Sequence, residues 1–197
     1  MPIRPKTSRF SLRGWLSRAD APRPADLIFV LAGQVNRKGY ALELYRDGFA
    51  PRLLFSVGRF EIRRFSKTLL PVPLDLLKIA QELPAPQRHY FVFFEGQQVQ
   101  AQHVPPKRFG TLTEIEALAT WLKANPRIRS LLIITSGTHL QRVRMCCRAL
   151  LPPQIEFAVL SAPDSPSPAT SDPSETSNSA AKIGKELVKI LVYWTLL

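Results

Sequence analysis

At 197 residues, 45% of them apolar, the chain suits one globular domain with a substantial core. Its formal net charge of +12 favours anionic partners such as nucleic acid, acidic lipid or phosphorylated metabolites, and is silent on fold. The longest apolar run, Leu187 to Leu197, is interrupted by Lys189 and falls short of the ~20 residues that cross a bilayer, so no membrane span is expected.

Residues 1–24 form a basic N-terminal segment carrying Arg4, Lys6, Arg9 and Arg13, with no apolar signal core after them. The default expectation is a cytoplasmic location. Phe10, Leu12, Trp15 and Leu16 lie among these basic residues, so a short membrane-surface helix, and with it a peripheral membrane contact, is weighed against simple packing on the domain.

The main domain is expected over residues 25–197. Ala25 to Leu31 is a continuous apolar run ending at Ala32-Gly33, which predicts a buried strand. Tyr40, Ala41, Leu44 and Tyr45 recur at helical spacing between Arg37 and Asp47, and Gly48 stops that helix. Arg52 to Ser56 reads as a second strand, Leu74 to Leu83 as a helix, and His89 to Phe94 as a third strand. Residues 95 to 110 read as a loop. A helix follows over Thr111 to Ala124, then a strand over Ser130 to Thr135, a helix over Thr138 to Leu150 and a strand over Ile155 to Leu160. Residues 162–178, rich in Ser, Pro, Thr and Asp, read as a flexible surface excursion before a closing amphipathic helix from Ala180 to Trp194. Cys146 and Cys147 are adjacent, which disfavours a disulfide between them and lacks metal-ligand spacing, so they read as packing residues.

Alternating strands and helices, with strands apolar throughout, predict an α/β domain: a three-layer, Rossmann-like sandwich around a mainly parallel five-stranded sheet. Ligands of such sheets bind beyond the carboxyl ends of the strands. Four groups of residues are expected at that edge. They are Gly33, Gln34, Asn36 and Arg37; Ser56, Gly58, Arg59 and Glu61; Thr111 and Glu114; and Thr135, Ser136, His139 and Arg142. Small residues there admit close backbone approach, and helix N-termini with Arg37, Arg59, Lys107, Arg108 and Arg142 suit a phosphate or carboxylate. His139 is a candidate acid or base, with Glu61 or Glu114 to orient it. The competing expectation for Thr111 and Glu114 is a capping box. No P-loop, GxGxxG, GxSxG or zinc-ligand spacing is present.

Several motifs carry a family resemblance. Ala25-Asp26 with Val30-Leu31-Ala32-Gly33, then Arg37, Ala41, Leu44-Tyr45, Gly48 and Ala50-Pro51, resembles the opening of YdcF/SanA/ElyC-like domains. Leu54 to Gly58 with Glu61, and Thr111 with Glu114, are similar to later motifs. The most specific segment is Thr135-Ser136-Gly137-Thr138-His139 with Arg142. Ala32 stands where a second glycine is usual in that family. The resemblance implies a Rossmann-like sandwich whose pocket these residues line, a role in cell-envelope polysaccharide, peptidoglycan or lipid-carrier metabolism, and S-adenosylmethionine as a candidate cofactor. Two other classes stay open: a non-catalytic envelope scaffold, and a nucleic-acid-binding module. The second is disfavoured because the basic residues are scattered and no recognition motif appears.

Overall fold

The inner strands of the sheet split their side chains between two cores, and this alternation sets the architecture. In the computed structural model, which describes residues 12–16, 18–65, 70–106, 110–163 and 175–197, six strands are joined in one sheet. They are β1 (Leu27–Val30), β2 (Arg52–Gly58), β3 (His89–Glu95), β4 (Gln98–His103), β5 (Ser130–Thr135) and β6 (Glu156–Ser161), in the order β4-β3-β2-β1-β5-β6.

Leu27, Phe29, Leu54, Phe91 and Ile133 face one core, closed by α5 (Gly110–Ala124), α6 (Leu140–Leu150) and α7 (Glu175–Leu196). Ile28, Val30, Phe55, Val92 and Ile134 face the other, closed by α2 (Val35–Arg46), α3 (Ile62–Phe65) and α4 (Leu76–Ala80). The result is a three-layer, Rossmann-like α/β sandwich. A short α1 (Leu12–Leu16) precedes it. Cys146 and Cys147 are free thiols in the first core, and burial pushes the Cys146 thiol up to about 11.

Two expectations about the sheet need correction. It has six strands, not five, and β3 runs antiparallel to both β2 and β4. β3 ends at Glu95 and β4 starts at Gln98, so only Gly96 and Gln97 connect them, and a link that short cannot make a parallel crossover. Gly96 takes a φ of 57°, as a tight hairpin requires. Residues 98–103 are therefore a strand where a loop was expected. β1, β2, β5 and β6 are mutually parallel.

The antiparallel hairpin has a consequence for function. Register pairs Gly58 with His89 and Tyr90 with His103. The start of β3 and the end of β4 therefore lie at the same sheet edge as the carboxyl ends of the parallel strands. α5 starts from that edge as expected, by way of β4 rather than directly from β3.

The outer rim of β6 is met by Asp20, whose amide donates to the Val159 carbonyl and whose Oδ2 accepts from the Val159 amide at 2.8 Å. Residues 164–174 of the expected excursion lie outside the described residues, and α7 begins at Glu175, inside that stretch. Lys107 and Arg108 also lie outside them. Among the described residues no helix is long and apolar enough to cross a membrane.

Candidate functional site

The end of β1 sets the geometry of the edge. Gly33 has a φ of +135°, a conformation that L side chains rarely adopt. A Cβ at Gly33 would meet Arg37 Nη1 at 2.7 Å. The glycine thus lets the chain turn and lets the Arg37 guanidinium lie back over the strand end. Arg37, only 5% exposed, donates to the Ala32 carbonyl and, through Nε, to Ser136 Oγ at 2.9 Å. It joins the end of β1 to the end of β5. Gly33→Ala should combine backbone strain of about 1–3 kcal/mol with displacement of Arg37. Urea unfolding checks the first effect, and loss of ligand binding checks the second.

Two carboxylates meet the amides at this turn. Glu114 Oε1 accepts from the Ala32 amide at 2.7 Å, and Glu61 Oε1 accepts from the Gly33 amide. Glu61 is also held by Lys38, whose Nζ lies 2.5 Å from Oε2. Burial pushes the Glu61 carboxyl up, while Lys38 and Arg37 pull it back. Glu114 is more deeply enclosed, and burial carries its carboxyl up to about 7 against the hydrogen bonds from Ser56 and the Ala32 amide. Such a group holds or releases a proton near neutrality.

Behind Glu114 stand Ser56 and His89. Ser56 Oγ lies 2.7 Å from His89 Nε2, and Ser56 also hydrogen-bonds to Glu114. Burial drops the His89 imidazole to about 4, so it is neutral at physiological pH. The hydroxyl donates to one neighbour and accepts from the other, so His89, Ser56 and Glu114 form a short path along which a proton can pass.

A second cluster lies at the end of β5. His139, in the 3-10 turn Gly137–His139, places Nδ1 3.2 Å from Glu186 Oε1 and 3.1 Å from Arg142 Nη2. Nδ1 donates to Glu186 when it carries the ring proton and accepts from Arg142 when the proton sits on Nε2, so the two contacts call for different tautomers. Arg142 Nη1 reaches Glu186 Oε2 at 2.5 Å, and both side chains are buried. Burial pushes the Glu186 carboxyl up, but the His139 hydrogen bond and the Arg142 charge outweigh it and hold it down at about 2.

The edge therefore gathers Gly33, Arg37, Ser56, Glu61, Glu114, Ser136, His139 and Arg142, drawn from separate parts of the chain. Gly58 closes β2 beside the Ala32 methyl, at 3.8 Å from its own would-be Cβ. The Thr135 hydroxyl and Arg142 Nε are buried without a hydrogen-bond partner.

Three expectations are corrected. Neither Glu61 nor Glu114 orients His139, because both are held by the β1 turn, and Glu186 does so instead. Glu114 does not close a capping box, because α5 begins at Gly110 and its carboxylate reaches Ala32. Thr111 faces α7, hydrogen-bonding to Tyr193. Sequence reasoning missed His89, Lys38 and Glu186. Glu186 had a usable signal: it shares the inward face of α7 with Tyr193, seven residues on, and an acid on a buried helix face implies a cationic partner.

Chemically, the edge is nearly charge-balanced, with Arg37, Lys38 and Arg142 against Glu61, Glu114 and Glu186. Arg59 stands apart at the rim. It is exposed and stacks on Phe60, its charge 4.4 Å from the ring centroid. Among the described residues no group of three His, Cys, Asp or Glu could hold a metal ion. A groove of about 520 Å³ lies elsewhere, between the β3–β4 hairpin and α5, lined by Phe93, Gln98, Gln100, Gln102 and Trp121. It touches none of the polar network.

No family model, curated protein or solved structure matches this chain. The reading of its function therefore stands on the edge itself.

Proposed function

We propose that the chain binds a small phosphate- or carboxylate-bearing ligand at the carboxyl edge of its sheet, in the cell-envelope metabolism that its YdcF-like motifs imply. One observation carries the reading. Two consecutive main-chain amides at the end of β1, Ala32 and Gly33, each already hold a carboxylate oxygen. Amides that hold carboxylate oxygens can hold a ligand's oxyanion instead, and α2 starts directly beyond them. Glu61 sits in the outer half, partly open to solvent, where its side chain is 13% exposed. A ligand anion takes the Gly33 amide in its place, with Arg59 at the rim as the available cation. Glu114 and His139 are the groups at this edge suited to move a proton.

Calorimetry with orthophosphate, pyrophosphate and citrate tests this. Glu61→Gln removes a competing charge and should tighten binding about tenfold. Arg59→Ala should weaken it by about 1.5 kcal/mol, the low end for a hydrogen bond to a charged group. Unchanged affinity in both variants would show that the anion binds elsewhere or not at all.

A further inference from the structure

The geometry points to a second surface, on the outer side of α7 and α1, that docks on an anionic lipid bilayer. Among the described residues nine large hydrophobic side chains are exposed, and six of them lie here: Trp15, Val188, Leu191, Val192, Trp194 and Leu197. Trp194 is 73% exposed, Leu191 64% and Val188 60%. Such concentration is unusual for a surface with no partner, whereas scattered single apolar residues are ordinary.

The arrangement on α7 is specific. Glu186 and Tyr193 point inward. At 3.6 residues per turn, Trp194, Leu191, Val188 and Val192 fan over an outward arc of roughly 160°. Lys185 and Lys189 border that arc on one side, with Lys189 half-exposed. On the other side a groove of about 490 Å³ runs between Trp15, Met145, Arg148, Ile190 and Trp194. Arg148 is exposed there, and Arg18 lies just beyond Trp15.

Charge complementarity selects the occupant. The nearby carboxylates are already neutralised, Asp20 by Arg144 and Glu186 by Arg142 together with Lys189. Among the described side chains the charges left on this face, Lys185, Arg148 and Arg18, are cationic, and the chain carries +12 in all. An apolar arc flanked by lysines and arginines, with tryptophans at its border, suits a helix lying in the headgroup region, where long basic stems keep their charges in water. A single such helix binds weakly, and Trp15 with the basic rim supplies the second anchor. The inference is independent of the ligand proposed for the sheet edge.

The test is co-sedimentation of the full chain with vesicles of phosphatidylcholine alone or mixed with phosphatidylglycerol. Binding is expected only to the mixed vesicles, weakened by salt, with a blue shift of tryptophan fluorescence. The double variant Val188→Glu/Leu191→Glu should lose at least about tenfold in partitioning with an unchanged melting temperature, since both side chains are exposed. Lys185→Glu/Arg148→Glu should also lose about tenfold at low salt. Equal partitioning onto both vesicle types, or full binding by the Val188→Glu/Leu191→Glu protein, would overturn the inference. So would a dimer, seen by light scattering, that the same pair of substitutions splits while vesicles go unbound.

Discussion

Arg142→Ala is expected to cost about 3–5 kcal/mol of folding stability, the range for removing one partner of a buried ion pair. The reason is what stays behind. Glu186 is only 4% exposed and takes its closest contact from Arg142 Nη1. Without the guanidinium a buried carboxylate is left with the more exposed Lys189 as its remaining cationic neighbour and the His139 ring beside it. The pH dependence carries a second signature. The Glu186 carboxyl is held down at about 2 in the folded protein, below its ordinary value of 4.5. Its contribution is therefore complete above the unfolded value and is lost as pH falls from about 4.5 through about 2. Arg142→Ala should flatten the stability profile in that acid window. Urea unfolding at neutral pH and at about pH 3 measures both effects. A loss under about 1 kcal/mol at neutral pH would mean that the pair is not buried as described.

The opposite sign is expected at Glu114. Burial raises this carboxyl to about 7, so the folded protein binds its proton more tightly than the unfolded chain does. Stability should then fall as pH rises from about 4.5 to about 7 and stay low above it. Glu114→Gln keeps an oxygen for the Ala32 amide and a donor for Ser56, and it cannot ionise. The variant should match the parent near pH 5 and exceed it by about 3 kcal/mol at pH 8 to 9, at 1.36 kcal/mol per pKa unit. Thermal unfolding across that range checks it, and parallel profiles for the two proteins would contradict it.

Much of this edge was legible in the chain because parallel strands leave a plain trace. β1, β2 and β5 are continuous apolar runs, and the residues that follow each one land together: Gly33 and Arg37, Ser56 and Glu61, Ser136 and His139. Strand direction left a fainter trace. His89 to Phe94 is apolar enough to pass for a parallel strand, and only the two-residue link Gly96-Gln97 marks it as half of a hairpin. The other half, Gln98 to His103, is an edge strand whose glutamines face the groove beside α5, so no apolar run announced it. Its Gln-Val-Gln-Ala alternation at period 2 was the signal.

His89 was missed for the same reason, because an antiparallel strand brings its first residue, not its last, to the working edge. Lys38 was passed over beside Arg37, although a buried lysine needs a carboxylate and Glu61 was already in view. Glu186 could not be paired with His139 from spacing alone, since they lie 47 positions apart and meet only when α7 packs on the turn after β5.

The central claim is that an anion binds at the turn after β1. The most direct test is an amide-resolved NMR titration of the protein with inorganic phosphate or pyrophosphate. The predicted result is saturable shift changes at the amides of Ala32, Gly33, Ser136 and His139, with Gly33 among the largest, because its amide exchanges a carboxylate for the ligand. Shifts confined to the groove between β4 and α5, or no saturable shift at Gly33, would contradict it.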